Sequence, residues 1–416
     1  MKRYDEYKDS GVEWIGEVPR HWEVVRTRYL CNLCTGNKDT INRVDDGKFP
    51  FYVRSPKVER INTYSFDGEA ILMAGDGVGA GKVFHYANGK FDYHQRVYNF
   101  HNFKKVIGKF FYYYITNNFR YIIEEGGAKN TVDSVRLYMI QNFLITVPPK
   151  EEQREIVFYL DKKCSEIDNV ISAQQKRIAL LQELKQSVIT HAVTKGLNPN
   201  VEMKDSGVEW IGKIPASWDV VHLKRILRER MQYGANEPAE SDDTTYPRYI
   251  RITDITANGE LRPETFKSLE PSKAKDYLLD KGDVLFARSG ATVGKTFLFN
   301  ADIKACYAGY LIKASCDKRG MLPEYLYYYT QSGAYECWKN SVFIQSTIQN
   351  IGADKYQMMY IPVPSKDEQK QIVEYTMRKS QIFDAAISKA QHQVELLQEY
   401  KQSLITEVVT GKRKVS

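Results

Sequence analysis

The most regular hydrophobic pattern in the chain lies between Lys150 and about Thr194, where neither glycine nor proline occurs. Apolar residues recur there at alternating intervals of four and three, the pattern of a coiled-coil seam. One series contains Leu160, Ile167, Gln174, Leu181 and Val188, and the companion series contains Cys164, Ile171, Ile178 and Lys185. At ~1.5 Å per residue, this pattern predicts a helical rod of roughly 65 Å.

The same pattern returns near the end of the chain. Its positions are Phe383, Ala390, Leu397 and Leu404, with the companions Ile387, Val394 and Lys401. Prolines before each stretch (148, 149 and 364) and glycines after each (196 and 411) mark the predicted ends. Because one helix cannot bury such a seam alone, we expect the two helices to pack together as an antiparallel coiled coil with one variable domain at each end. Two unrelated surface helices are the alternative.

The remaining segments predict a mixed α/β (α+β) fold. β-branched and aromatic residues indicate strands in EAILMA (69–74), YPRYIRITDI (246–255), DVLFA (283–287) and AGYLIKAS (308–315). Apolar residues at helical spacing predict helices over 105–123 and 322–340. The triplets Tyr112–Tyr114 and Tyr327–Tyr329 fall inside these helices, so we expect them to pack in the core.

An internal repeat organises the chain. KDSGVEWIG begins at residue 8 and again at residue 204, and 13 of 18 residues are identical over 8–25 and 204–221. LLQELKQSVIT (180–190) also matches LLQEYKQSLIT (396–406). The ends of the two halves are nearly the same, whereas the middles differ in length and letters. This predicts a pseudo-twofold repeat of two similar domains with separate binding tasks, with Trp14 and Trp210 as equivalent anchors.

Each half contains a glycine-rich stretch, GDGVGAGK (75–82) and SGATVGK (289–295). A Walker phosphate loop needs four residues between its glycines, but only three separate Gly290 from Gly294. A dinucleotide-binding turn needs a helix directly after it, whereas KVFHYANGKF (82–91) predicts a strand and a turn. We interpret both stretches as turns whose backbone approaches a partner closely, with Lys82 and Lys295 facing a polyanion.

Composition changes this picture only slightly. The chain has 416 residues, enough for two or three domains, and its net charge of +7 suits a polyanionic partner. The N-terminus is charged, and no apolar run approaches the length of a membrane span, so we expect a cytoplasmic protein. The six dispersed cysteines fit reduced thiols; Cys31 and Cys34 form a CxxC without the second pair expected of a metal site.

Catalytic motifs are missing from the sequence. It contains no Asn-Pro-Pro-Tyr motif of amino-methyltransferases, no H-E-x-x-H and no G-x-S-x-G. The sequence therefore favours a protein that is not an enzyme.

The repeated motifs carry a family resemblance. The duplicated D-S-G-V-E-W-I-G-x-[VI]-P-x-x-W start, the Gly-rich turn after a strand, the E-Q-x-x-I helix entry and the long terminal helix resemble the specificity subunit of type I restriction-modification systems. The resemblance implies two target recognition domains, each reading half of a bipartite double-stranded DNA site, with helices that set the spacer. Two methyltransferase subunits would dock on these helices, and motor-endonuclease subunits would join through the complex.

The resemblance also implies where the chemistry lies. This chain would hold no active site and no cofactor; S-adenosylmethionine would belong to the methyltransferase subunits, and ATP and Mg²⁺ to the motor-endonuclease. The expected boundaries are 1–149 for the first recognition domain and 150–196 for its helix. Residues 197–363 would form the linker and second recognition domain, and 364–416 the second helix and tail.

Candidate DNA contacts rest on side-chain chemistry. Arginine and lysine suit guanine edges and phosphates, and asparagine and glutamine suit adenine. In the first domain we select Arg54, Lys82, Gln95, Arg96, Lys129 and Asn130. In the second we select Arg248, Arg251, Arg288, Lys295, Gln345 and Gln349.

The sequence also allows two other functions. The long helices could belong to a protein–protein scaffold that binds no DNA. A fused restriction enzyme is a further alternative, which the missing catalytic motifs disfavour.

Overall fold

A computed structural model of the chain describes residues 2–125, 134–256, 259–344 and 350–415. The chain divides into two compact units, Met1–Gln174 with His392–Ser416, and Gln175–Gln391. Each long helix contributes one segment to each unit. The predicted mixed α/β class is confirmed in both units.

In the first half of the chain the strands are β1 (Tyr7–Asp9), β2 (Glu17–Pro19), β3 (Glu23–Arg26), β4 (Asn32–Thr35), β5 (Phe49–Tyr52), β6 (Glu59–Ile61), β7 (Phe66–Ala74), β8 (Phe84–Tyr93), β9 (Val97–His101) and β10 (Leu144–Val147). The helices are α1 (Gly108–Asn118), α2 (Arg120–Glu125), α3 (Leu137–Asn142) and the long α4 (Lys150–Lys195). The main sheet has the strand order β4-β9-β7-β8-β5-β6, and only its β5–β8 pair is parallel.

In the second half the strands are β11 (Met203–Asp205), β12 (Lys213–Pro215), β13 (Asp219–His222), β14 (Gln232–Tyr233), β15 (Arg248–Ile250), β16 (Val284–Ala287), β17 (Thr296–Leu298), β18 (Ala305–Tyr307), β19 (Leu311–Ala314) and β20 (Tyr360–Val363). The helices are α5 (Pro271–Ala274), α6 (Pro323–Tyr329), α7 (Gly333–Ile344), α8 (Ala353–Gln357) and the long α9 (Lys366–Val409). The strand order is β14-β19-β16-β17, beside a parallel β15–β18 pair.

The repeated nonapeptide forms the same hairpin twice. β1 pairs with β2 and β11 pairs with β12, both antiparallel. The glycines of each copy have left-handed backbone, with φ of 72° and 66° at Gly11 and Gly16 and of 72° and 67° at Gly207 and Gly212. Side chains are disfavoured in that conformation, which explains why the glycines recur at these positions.

Tryptophan side chains attach each hairpin to the rest of its unit by packing and hydrogen bonds. Trp14 stacks on Tyr121 with ring centroids 4.8 Å apart, and Trp210 packs against the core of the second unit. Trp22 and Trp218 are fully buried. Their indole N–H groups donate to carboxylates near the starts of the long helices, Glu152 at 3.1 Å and Glu368 at 3.2 Å.

A buried glutamine joins each variable domain to the start of its long helix. Gln153 accepts a hydrogen bond from the backbone N–H of Ile107 (2.7 Å) and donates to the carbonyls of Lys105 (3.1 Å) and Pro148 (2.7 Å). In the second unit Gln369 accepts from the N–H of Leu322 (2.8 Å) and donates to the carbonyls of two residues, Gly320 and Pro364 (both 3.0 Å). Both glutamines are 0% exposed, so these bonds satisfy amides that water cannot reach.

The predicted seam appears in the burial pattern of both long helices. Leu160, Cys164, Ile167 and Ile171 are buried on α4, and Ile387, Ala390 and Leu404 on α9. One ion pair joins the two helices within each unit. Lys401 contacts Asp168 at 2.6 Å in the first unit, and Lys185 contacts Asp384 at 2.7 Å in the second.

The tyrosine prediction is confirmed, since Tyr114 and Tyr329 are 0% exposed and their neighbours in each triplet are at least partly buried. Several element predictions need correction, and the predicted helix over 105–123 is two helices, α1 and α2. The predicted helix over 322–340 is divided into α6 and α7, because the buried Ser332 hydroxyl donates to the Tyr329 carbonyl and accepts from the Tyr335 N–H. The turn predicted within 82–91 is absent, because β8 runs on through Gly89.

We expect Gln153→Ala to lower the free energy of unfolding by about 3 kcal/mol, because it removes three hydrogen bonds to backbone groups, of which the bond to the Pro148 carbonyl is buried. Gln175→Ala is the matched control, since Gln175 is exposed on the same helix. Urea denaturation followed by circular dichroism measures both. Equal midpoints for the two variants would contradict the anchoring role of Gln153.

Candidate nucleic-acid interface

The two glycine-rich turns have the same backbone structure. We call residues 75–82 the first turn and residues 288–295 the second turn. In the first, Gly81 N–H donates to the Ala74 carbonyl (2.9 Å) and Lys82 N–H to the Gly79 carbonyl (3.0 Å). In the second, Gly294 donates to Ala287 (2.9 Å) and Lys295 to Thr292 (3.0 Å). A strand rather than a helix follows each turn, which excludes the dinucleotide-binding geometry.

Left-handed glycines recur at equivalent places in the turns. Gly77 and Gly81 have φ of 71° and 62°, and Gly290 and Gly294 have φ of 75° and 83°. The tip of the first turn carries Val78, which is 91% exposed. Lys82 and Lys295 end the two turns, and both are exposed. The turns therefore carry exposed side chains on a backbone whose left-handed positions require glycine.

In the first unit the turn joins two of the selected arginines. Asp76 contacts the Arg54 guanidinium at 3.0 Å and the Arg96 guanidinium at 3.7 Å. Both arginine side chains remain open to solvent, at 45% and 65% exposure. One carboxylate thus sits between two guanidinium groups that both remain open to solvent.

Gln95 and His94 border this cluster. The Gln95 side-chain amide donates to Asp39 at 2.9 Å, and the Nδ1 atom of buried His94 accepts from the Arg96 backbone N–H at 2.9 Å. Burial lowers the pKa of His94, and the nearby Arg54 guanidinium lowers that pKa further. A neutral imidazole suits its acceptor role, so His94 helps to position the backbone of Arg96.

In the second unit Arg288 begins the turn. Its guanidinium lies 4.8 Å from the centroid of the Tyr233 ring, a cation–π arrangement. The Tyr233 hydroxyl accepts a hydrogen bond from the Ala353 N–H at 3.0 Å, which fixes the ring. Ser289 occupies the place that Asp76 has in the first turn, so the second turn has no carboxylate there.

Arg248 and Arg251 lie at another place, on β15 and directly after it. Arg251 donates two hydrogen bonds to Asp254, at 3.0 and 2.7 Å, and a third to the Thr265 carbonyl at 2.9 Å. Arg248 donates to the Arg262 carbonyl at 2.6 Å. These bonds hold local loops together, and they end β15 earlier than the sequence predicted. A DNA contact by either arginine stays a prediction.

Four selected residues, Lys129, Asn130, Gln345 and Gln349, lie outside the described residues. Sequence reasoning missed three partners that shape the site: Asp76, Tyr233 and Tyr310, the last with a side chain that is 71% exposed. Asp76 could have been noticed as an acidic residue within a Gly-rich turn. Tyr233 lies 55 residues before Arg288 and gave no local signal.

The described residues form neither a metal-binding cluster nor a membrane-spanning helix. There, no group of three or more His, Cys, Asp or Glu side chains could hold a metal ion. Within the same ranges, no helix is long and apolar enough to cross a membrane. Cys31 and Cys34 are unpaired thiols; burial raises the pKa of Cys31 to about 12, and the Cys34 Sγ lies 3.2 Å from the Tyr93 hydroxyl.

Fold and site together define a chain with two copies of one α/β domain, each attached to a long helix and each presenting basic side chains beside a glycine-rich turn. The family model for the type I restriction modification DNA specificity domain matches the chain twice, over residues 19–180 and 215–395. These matches cover more than half of the chain, so it belongs to this family.

Curated relatives agree with this assignment. The chain is 22% identical over 375 residues to the type I restriction enzyme EcoDI specificity subunit of Escherichia coli, covering 86% of this chain and 81% of that one. It is 23% identical over 419 residues to the type I restriction enzyme MjaVIII specificity subunit of Methanocaldococcus jannaschii, covering 96% and 94%.

A solved structure shows the same fold. A chain from a structure describing complex assembly and conformational transition of a type I restriction-modification system has a TM-score of 0.68 and 17% identity, covering 94% of this chain and 98% of that one.

We expect Arg251→Ala to lower the free energy of unfolding by about 2 kcal/mol, because Asp254 is 1% exposed and would lose its charged partner. Arg262→Ala is the control, since its ion pair with Glu264 spans 3.9 Å at the surface. Urea denaturation measures both. Unchanged stability with weakened DNA binding would instead make Arg251 a DNA contact.

Proposed function

We propose that this chain is the DNA-sequence-specificity subunit of a type I restriction-modification complex. The observation that carries the proposal is the pair of equivalent glycine-rich turns, one in each specificity domain, with the same backbone but different basic side chains. Equivalent turns fit one task performed twice, and different side chains fit two different half-sites of a bipartite double-stranded DNA sequence.

We further propose that α4 and α9 pair along their length as an antiparallel coiled coil. The two ion pairs support this arrangement. Lys185 lies 17 residues after Asp168, and its partner Asp384 lies 17 residues before Lys401, which is the register of antiparallel helices. A charged pair in a seam restricts the register, because a shifted register leaves the charges unpaired. The paired helices would then set the spacer between the half-sites.

The chemical reactions belong to partners in this proposal. Two methyltransferase subunits, which use S-adenosylmethionine, would dock on the helices, and motor-endonuclease subunits, which use ATP and Mg²⁺, would join the complex. This chain would supply DNA recognition without a catalytic site or cofactor of its own, in the cytoplasm. The domain boundaries proposed above follow the repeat: recognition segments 1–149 and 197–363, and helical segments 150–196 and 364–416.

Salt dependence separates DNA recognition from a scaffold without DNA binding. We expect the complex of this chain with its methyltransferase partner to lose roughly 10³-fold in DNA affinity between 50 and 200 mM salt, because counterions are released from phosphates. Gel shifts measure this. Partner association in the same salt series is the control. Salt-insensitive partner binding without any DNA affinity would favour the scaffold.

Helix length tests the spacer. Removing residues 172–178 and 391–397 together deletes one heptad from each helix and keeps both ion pairs. We expect a shortening of about 10 Å, so the gap between half-sites should decrease by about three base pairs. Mapping methylated adenines in DNA from cells that express the complex measures the gap. Two recognised half-sites with an unchanged gap would contradict the spacer role.

A further inference from the structure

Beside each glycine-rich turn, two residues are joined through their backbones. In the first unit the N–H of Gly75 donates to the carbonyl of Arg96 at 2.8 Å. In the second unit the N–H of Arg288 donates to the carbonyl of Tyr310 at 3.0 Å. The two hydrogen bonds are equivalent, so Gly75 corresponds to Arg288, and Arg96 corresponds to Tyr310.

The two domains share some residues at this place and differ in others. The turn backbone and the lysine at its end, Lys82 or Lys295, are the same in both units. The joined pair is Gly75 with Arg96 in one unit and Arg288 with Tyr310 in the other. The phosphate backbone is the same in every half-site, so shared residues suit phosphate, whereas differing residues suit the bases.

The guanidinium group belongs to a different member of the joined pair in each unit. The first unit presents it from Arg96, whose place in the second unit is taken by the exposed ring of Tyr310. The second unit presents it from Arg288, in the place of a glycine. At this joined pair each unit therefore offers an arginine, from the residue whose carbonyl accepts in the first unit and from the residue whose N–H donates in the second.

The surroundings of Arg288 prepare it to bind a planar acceptor. Its contact with the Tyr233 ring restricts the guanidinium, and the ring is itself fixed by the Ala353 N–H. Among the described residues Arg288 forms no ion pair, in contrast to Arg251, whose donors are occupied by Asp254 and Thr265. Restricted N–H donors that have no side-chain hydrogen-bond partner within the described ranges can form two parallel hydrogen bonds without a large loss of side-chain freedom.

We propose that Arg288 reads a guanine in the second half-site. Guanine presents two acceptors, O6 and N7, at its major-groove edge, and their spacing matches the arginine fork. Tyr310, which is joined to Arg288 through its backbone and has a ring that is 71% exposed, can then cover the bonded edge and exclude water from it. This inference rests on the proposed function and adds one residue and the base that it reads in the second half-site.

The test selects bound DNA from a duplex pool with a randomised central segment, using the complex with its methyltransferase partner. We expect Arg288→Ala to reduce the preference for guanine at one position of the second half-site by roughly 10- to 100-fold, leaving the first half-site unchanged. Arg288→Lys keeps the charge but not the fork, so it should lose the same preference.

Lys295→Ala provides the matched control at the other end of the turn. We expect it to weaken binding to all sequences and to reduce the slope of log affinity against log salt by about 1. Arg288→Ala with that same uniform effect would make Arg288 a phosphate contact and overturn the inference. So would an unaltered base preference.

A wild-type complex that enriches no sequence would refute the proposed function itself. Enrichment by the wild type with no change in the Arg288 variants refutes only the base-reading role. Thermal unfolding of each variant complex confirms that a lost preference does not come from a lost fold.

Discussion

In each unit, the attachment of the domain to its long helix depends on one buried side-chain amide. Gln153 and Gln369 each use their oxygen and nitrogen to bind three backbone groups of the domain and of the helix start. An unpaired amide at 0% exposure would cost far more than a surface contact gains, so the position of the loop relative to the helix is strongly restricted. Rigid placement at this joint allows loops elsewhere to change without moving the domain.

The tryptophans extend the same constraint to the repeated hairpins. Glu152 and Glu368 directly precede the two glutamines and bind the buried indoles of Trp22 and Trp218. The last turn of each helix is included as well, because a side chain at Gly411 would collide with Pro19, and one at Gly196 would approach Trp218 closely. The duplicated letters therefore mark one joint per unit, where hairpin, helix start and helix end meet.

Sequence reasoning recovered this frame because its signals are periodic or repeated. The seam of α4 is visible as intervals of four and three, and the hairpins are visible as the same peptide occurring twice. It did not recover how local side-chain hydrogen bonds interrupt elements. The Ser332 hydroxyl divides one predicted helix, and the bonds of Arg251 to Asp254 end β15. Both effects come from single side chains that bind nearby backbone or carboxylate groups. A hydrophobic pattern taken over many neighbouring residues does not reveal such single hydrogen bonds.

The candidate site was predictable in its residue types but not in its connections. Arg54, Arg96 and Arg288 were selected for their chemistry, whereas Asp76 and Tyr233, which decide how freely those arginines can act, are distant from them in the chain. The partner of the arginine, a carboxylate in the first unit and an aromatic ring in the second, has a physical consequence. A guanidinium beside a carboxylate must exchange one partner for another when DNA arrives, whereas one on an aromatic ring keeps its platform and adds new bonds. The two half-sites should thus be bound with different electrostatic costs, although the turns that present the arginines have the same backbone.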